Sequence, residues 1–222
     1  MREHYKRHGY ARLSHAFPPE SAAALADAVW NELSRRHGIS RDDRTTWTVV
    51  EPRGLGALRR QRVFDALATP VVVAAITELL GIADWPPPFS WGDPLVTLPS
   101  TGRWTVPERG WHIDFPARSE LRLKWLAYLA PVVAGGGGTV VLAGSHRRVA
   151  EFLRAHPDDP GRSATVRDVV LGGRSVRSFV DDVVELTGEP GDIVFLHPHL
   201  LHAPAPNHAT EPRLMATGGL AG

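Results

Sequence analysis

Two hydrophobic rhythms divide the chain near residue 90. Up to that point apolar positions recur at helical spacing. Ala24, Leu25, Ala28, Val29 and Leu33 fall on one face of a predicted helix over 18 to 36, with Pro18 and Pro19 at its start, Glu20 in its first turn and Gly38 at its end. A second helix is predicted over 69 to 80, where Thr69 is placed to cap, Pro70 takes the first position and Gly81 follows the last turn. From Pro94 onward the period shortens, and strands are predicted at 94 to 98, 110 to 115, 121 to 130, 138 to 143, 183 to 187, 192 to 197 and 212 to 218. Many short strands between glycine and proline turns indicate a β-sandwich or barrel, which the helices of residues 1 to 90 would buttress. Residues 147 to 188 break the strand pattern with a short helix at 147 to 155 and a polar loop, and are expected to form a lid.

At 222 residues the chain can bury one sizeable core, so one domain spanning 1 to 222 is expected. A net charge of +1 gives no reason to expect nucleic acid or an anionic membrane as partner. The absence of cysteine excludes disulfides and thiolate metal sites. No run of about eighteen apolar residues could span a membrane, and the opening Met1 to His8 has no signal-like apolar stretch, so a cytoplasmic location is expected. Seven arginines between Arg147 and Arg177 are offset by seven acidic residues between Glu151 and Glu185, a solvated surface rather than a polyphosphate site. Gly135 to Gly138 precede a strand and no Lys-Ser/Thr, and so form a turn rather than a phosphate loop. Arginine far outnumbers lysine, present only as Lys6 and Lys124, and Ala, Gly and Pro are frequent, as in GC-rich bacterial genomes.

The chemistry is concentrated in Trp111-His112-Ile113-Asp114. On a strand, His112 and Asp114 project from the same face and can reach one metal ion. A second imidazole from His197, His199 or His202 would complete two histidines and one carboxylate, the facial set that holds non-haem iron and leaves positions open for a cosubstrate and dioxygen. Arg213 follows His202 by eleven positions across a proline-rich turn. A guanidinium returning beside the metal suits the free carboxylate of a chelating dicarboxylate, which points to 2-oxoglutarate.

Four segments in order carry a family likeness: Trp111 to Asp114, Gly138 to His146, Gly191 to Pro198, and the spacing from His202 to Arg213. With them the chain resembles the phytanoyl-CoA dioxygenase-like family of iron(II)/2-oxoglutarate-dependent oxygenases. The resemblance selects, among the sandwich and barrel folds, a mainly β jelly-roll (double-stranded β-helix, cupin-like) with flanking α-helices. It implies Fe(II) on His112, Asp114 and His202, the distal carboxylate of 2-oxoglutarate on Arg213, and Trp125 against the cosubstrate. His146 and His197 are then structural. Two positions depart from the family: Pro204 stands where many members carry a hydroxyl residue, and Ala143 replaces a proline.

The implied reaction couples O2 and oxidative decarboxylation of 2-oxoglutarate to hydroxylation, or another oxidation, of an unactivated C–H bond. Asp114 argues against halogenation, which needs a small residue there. A small-molecule substrate of bacterial secondary metabolism is expected, with Phe115, Trp104 and Arg103 as candidate contacts and a monomer or small homo-oligomer as the working form. A cupin-like metal enzyme that does not use 2-oxoglutarate would leave Arg213 without a task, and a non-catalytic jelly-roll binding protein would leave the triad without one.

Overall fold

The computed structural model describes residues 1 to 114, 116 to 118 and 120 to 221, with Val180 described by its backbone alone. The N-terminal part runs α1 (Arg2–His8), β1 (Tyr10–Leu13), α2 (Pro19–His37), α3 (Gly56–Arg60) and α4 (Pro70–Leu80). Both predicted helices are present within a residue or two of the expected limits. The Thr69 hydroxyl accepts from Val72 N–H and donates to the Ala16 carbonyl, so the cap also ties α4 to the end of β1. Gly38 and Gly81 close α2 and α4 in the left-handed conformation, at φ 66° and 72°.

The remainder supplies β2 (Asp93–Thr97), β3 (Leu121–Tyr128), β4 (Val140–Leu142), α5 (Ser145–Ala155), α6 (Ser163–Leu171), β5 (Val183–Glu185), β6 (Ile193–Leu196), β7 (His202–Ala203) and β8 (Arg213–Ala221). A five-stranded antiparallel sheet has the order β1-β6-β3-β8-β2, and a three-stranded one the order β5-β4-β7. Alternation decides what each face buries. Leu123, Trp125, Ala127, Phe195, Leu214 and Ala216 face α2 and α4 in one core. Leu126, Tyr128, Val194, Leu196 and Met215 face inward and meet Val141 of the small sheet in a second core. These two facing sheets, with helices flanking them, form the jelly-roll.

Three expectations need correction. The N-terminal region is not purely helical, because β1 adds an edge strand to the large sheet through Tyr10↔Leu196 to Leu13↔Ile193. Residues 110 to 115 form no strand where described; a single bridge, His112↔His202, is the only pairing there, and Gly110 enters it at φ 82°. The 147 to 188 segment is no simple lid. The apolar faces of α5 and α6 pack Val149, Val166 and Val170 against Val140, Leu142 and Ala203, on the outer side of the small sheet, and β5 extends that sheet.

Candidate active site

His112 and His202 are drawn together by backbone hydrogen bonding. Each N–H donates to the other's carbonyl, at 2.9 and 3.0 Å, so the pair lies directly opposite across the bridge and both imidazoles leave from one face. The ring centroids are 4.5 Å apart. Neighbouring residues fix that face: Trp111 and Ile113 are buried under the small sheet's outer core, which turns His112 and Asp114 the other way. The Ile113 N–H donates to Ser163 Oγ, the Ala117 N–H donates to the Gly161 carbonyl, and Arg118 donates to the carbonyls of Leu153, His156 and Asp159. The 147 to 188 segment thus clamps the loop carrying two of the three site residues from behind.

Both imidazoles are held in the tautomer a metal needs. His112 Nδ1 lies 2.6 Å from the Gly110 carbonyl and His202 Nδ1 lies 2.9 Å from the Leu200 carbonyl. A carbonyl only accepts, so each Nδ1 is the protonated nitrogen and each Nε2 keeps its lone pair. Both Nε2 atoms lie 3.6 Å from Asp114 Oδ1, and one ligand atom from each of the three residues falls within 4.8 Å of the others. Three donors so disposed share one face of an octahedron.

Lys124, which the sequence reading did not single out, enters the same site. Its Nζ donates to Asp114 Oδ2 at 2.5 Å and lies 3.2 Å from His202 Nε2. The signal that could have found it is its position, a lysine inside the apolar strand Leu121 to Tyr128, alternating with Trp125. Electrostatics prepares the donors for a cation. Burial alone would raise the Asp114 carboxyl, but the two imidazoles 3.6 Å from Oδ1 and the charge of Lys124 hold it well below the ordinary carboxylate range. Burial, aided by Lys124, lowers His202 and keeps it neutral. His112 is raised, chiefly by Asp114. An ionised carboxylate beside a neutral imidazole is the protonation state that binds metal.

Arg213, at the start of β8, is only 6% exposed. Its Nη1 donates to the Gly137 carbonyl at 2.8 Å, its Nε has no partner, and no carboxylate among the described residues forms an ion pair with it. Burial pushes it down to about 10, against the upward pull of Glu51. An arginine so placed is short of an anion. It lines a cavity of about 530 Å³ together with Glu51, Leu95 and Pro204, the last only two residues from His202. A second hollow of about 270 Å³ opens beside Asp114 and Lys124, walled by Leu121, Thr217, Gly218 and Gly219. No lining residue of either cavity comes from 147 to 188.

Four other expectations fare differently. Trp125 does not face the site. Strand alternation turns it to the helical side, where it is fully buried against Trp91, 5.4 Å between ring centroids, and donates to the Trp91 carbonyl. Lys124 takes the inward place instead. Trp104 packs with the outer core of the small sheet, beside Gly135, rather than over the triad. Arg103 is exposed and lines neither cavity. Phe115 lies outside the described residues. His197 and His199 do not join the triad: His197 Nδ1 accepts from His199 N–H, and His199 Nε2 bonds the Ala117 carbonyl. His146 makes the structural hydrogen bond expected of it, to the Lys6 carbonyl.

The sequence profile of the phytanoyl-CoA dioxygenase family matches residues 5 to 215, nearly the whole chain. The chain belongs to the phytanoyl-CoA dioxygenase family. As a member it is an iron- and 2-oxoglutarate-dependent oxygenase, and the residues present fit both groups. The triad offers the nitrogen and oxygen donors iron takes, and Arg213 offers a buried, unpaired cation to a dicarboxylate. No curated protein matches the sequence. Several solved structures share the fold. HygX from Streptomyces hygroscopicus, with nickel and 2-oxoglutarate bound, superposes with a TM-score of 0.63 at 15% identity, covering 100% of this chain and 87% of its own. AviO1 from Streptomyces viridochromogenes Tue57 gives 0.60 at 16%, covering 99% and 92%. The non-haem alpha-ketoglutarate-dependent carbocyclase SnoK from nogalamycin biosynthesis gives 0.60 at 18%, covering 99% and 81%.

Proposed function

We propose that His112, Asp114 and His202 hold iron(II), that Arg213 binds the distal carboxylate of 2-oxoglutarate, and that the enzyme oxidises an unactivated C–H bond of a small molecule. One observation carries the reading: two imidazole Nε2 atoms and a carboxylate oxygen converge on the same sheet interior as a buried arginine that has no anion. Iron bound there with 2-oxoglutarate and dioxygen supplies the oxidising chemistry.

The chain's own residues do the rest. The Gly110 and Leu200 carbonyls hold the imidazoles in register through Nδ1. Lys124 occupies Asp114 Oδ2 and so leaves Oδ1 as the donor that faces both histidines. Arg213, fixed by the Gly137 carbonyl, orients the dicarboxylate within the larger cavity, and burial strengthens its grip by removing competing water. The smaller hollow beside Asp114 is the approach for substrate, where Gly219, paired opposite Lys124, presents no side chain. HygX, AviO1 and SnoK share this fold, and SnoK's place in nogalamycin biosynthesis supports a setting in bacterial secondary metabolism. No described helix is long and apolar enough to cross a membrane.

Anaerobic titration of the protein with iron(II) and 2-oxoglutarate tests the assignment without knowledge of the substrate. A visible charge-transfer band that saturates at one equivalent is expected, and Arg213→Leu should weaken 2-oxoglutarate at least about a hundredfold, the scale of a charge-assisted bidentate contact. A wild-type protein that binds iron but develops no band with 2-oxoglutarate would instead favour a cupin-like metal enzyme of another kind.

A further inference from the structure

Lys124 has more hydrogen-bond donors than its surroundings can use. An ammonium carries three donors and no acceptor. One goes to Asp114 Oδ2 at 2.5 Å, a second faces His202 Nε2 at 3.2 Å, and the third has no acceptor among the described residues. The contact with His202 is the one a metal removes, because Nδ1 donates to the Leu200 carbonyl and Nε2 therefore holds the lone pair a metal takes. Once that lone pair is committed, two N–H groups of Lys124 are left to the hollow of about 270 Å³ that the side chain lines.

The walls of that hollow offer these donors little. Among its described lining residues only Asp114 and Lys124 are charged; Leu121, Gly218 and Gly219 bring no polar side-chain atom, and the Thr217 hydroxyl donates to the Trp125 carbonyl. The carboxylates of Glu51 and Asp93 line the larger cavity instead, and Glu51 pairs there with Arg53. Strand alternation fixes where the lysine points. Leu123 and Trp125 on either side are buried in the helical-side core, and Gly219 opposite has no side chain to cover the ammonium stem. The Lys124 side chain is 14% exposed, so water does little to satisfy its charge or to screen it. Residue type matters as well. Of 25 lysines and arginines in the chain, only Lys6 and Lys124 are lysines. A compact ammonium on a flexible stem can keep Asp114 and turn its remaining donors toward the hollow, a task a rigid planar fork suits less well.

We infer that the substrate is an anion and that Lys124 is the specificity-determining residue that binds its acidic group, a carboxylate in the simplest case. The two oxygens of a carboxylate accept both free donors, and opposite charge in a partly buried hollow makes those bonds stronger than bonds to a neutral amide or alcohol. The inference deepens the proposed iron and 2-oxoglutarate reading and rests on it: with Asp114 committed to the metal, Lys124 becomes the unopposed charge of the hollow. It also sets the position of attack. Nζ stands 3.2 Å from His202 Nε2, so the C–H bond that reacts lies only a few bonds from the acidic group.

Two probes alike in shape and different in charge, cyclohexanecarboxylate and cyclohexanecarboxamide, test this on the anaerobic protein saturated with iron(II) and 2-oxoglutarate. Each is titrated while its perturbation of the charge-transfer band is followed. In the wild type the carboxylate should bind at least about tenfold tighter than the amide, the scale of a hydrogen bond between charged groups. Lys124→Met, which keeps the length and removes the charge, should abolish that preference while the 2-oxoglutarate band itself persists. Lys124→Gln serves if the methionine variant does not fold. Diffraction from the wild-type complex needs no variant and should place a carboxylate oxygen within about 3 Å of Lys124 Nζ. Equal affinity for the two probes, no binding of the carboxylate, a preference that survives in either variant, or a carboxylate seated away from Nζ would overturn the inference. The band recorded before any probe is added reports on the iron and 2-oxoglutarate reading separately, so a normal band without carboxylate preference counts against Lys124 alone.

Discussion

At the scale of single residues, the site is a set of donors readied for a cation and a lysine already occupying part of its place. Lys124 Nζ, 3.2 Å from His202 Nε2, competes for a lone pair that a metal would use, and it adds a like charge beside the metal position. It also orients Asp114 through Oδ2. Two unit charges about 4 Å apart repel by roughly 4 kcal/mol at an effective dielectric near 20, while losing an outer hydrogen bond to a ligand costs about ten- to a hundredfold in affinity. The charge term is the larger, so Lys124→Met should tighten iron(II) about tenfold in competition with a chromophoric chelator. Weaker binding would mean that the bond to Asp114 Oδ2 dominates. The pair Lys124 and Trp125 also shows where the sequence becomes hard to read. The tryptophan was the conspicuous residue, yet on a strand a shift of one position exchanges faces, and Trp125 went to the helical side while the lysine went in.

At the scale of elements, the site depends on short segments braced by distant ones. His112 and Asp114 were legible because alternation persists through Trp111 to Asp114 even though one bridge, not a ladder, holds that stretch. The missing strand is explained by Gly110 on one side and by a clamp of non-strand contacts from Ser163, Gly161 and Arg118 on the other. β1 was illegible because Tyr10 to Leu13 is short and pairs with residues some 180 positions away. Asp192, read from the sequence only as turn chemistry, closes that edge. The carboxylate is 4% exposed, takes the His15 N–H on one oxygen and the Glu189 N–H and Arg12 on the other, and so anchors the chain after β1 to the turn before β6. Asp192→Ala leaves buried donors unpaired and should cost about 2–3 kcal/mol, which for a chain of this length lowers the thermal midpoint by roughly 5–10 °C. Calorimetry of the variant measures this. A midpoint unchanged within about a degree would show that the edge strand does not depend on the carboxylate.

At the scale of the whole molecule, two antiparallel sheets enclose an interior that is apolar around Leu126, Tyr128 and Met215 and polar toward one end. There the triad, Lys124 and Arg213 gather from β3, β7, β8 and the loop that ends at Asp114. Helical spacing before residue 90 and strand spacing after it were enough to anticipate a helix-flanked sandwich or barrel, because α2, α4 and most of the strands obey their local patterns, and the family likeness selected the jelly-roll. The role of 147 to 188 was not anticipated, since its helices turn their apolar faces onto the small sheet and the segment braces the loop carrying His112 and Asp114 from outside, a tertiary choice that periodicity alone leaves open. The claim on which the rest depends is that one ion sits where His112, Asp114 and His202 meet. Diffraction from anaerobic crystals soaked with iron(II), recorded at the iron absorption edge, tests it most directly. A single anomalous peak within about 2.3 Å of both Nε2 atoms and of one Asp114 oxygen is the expected result. A peak on His146, His197 and His199 instead, or no peak at the triad in crystals of iron-loaded protein, would contradict it.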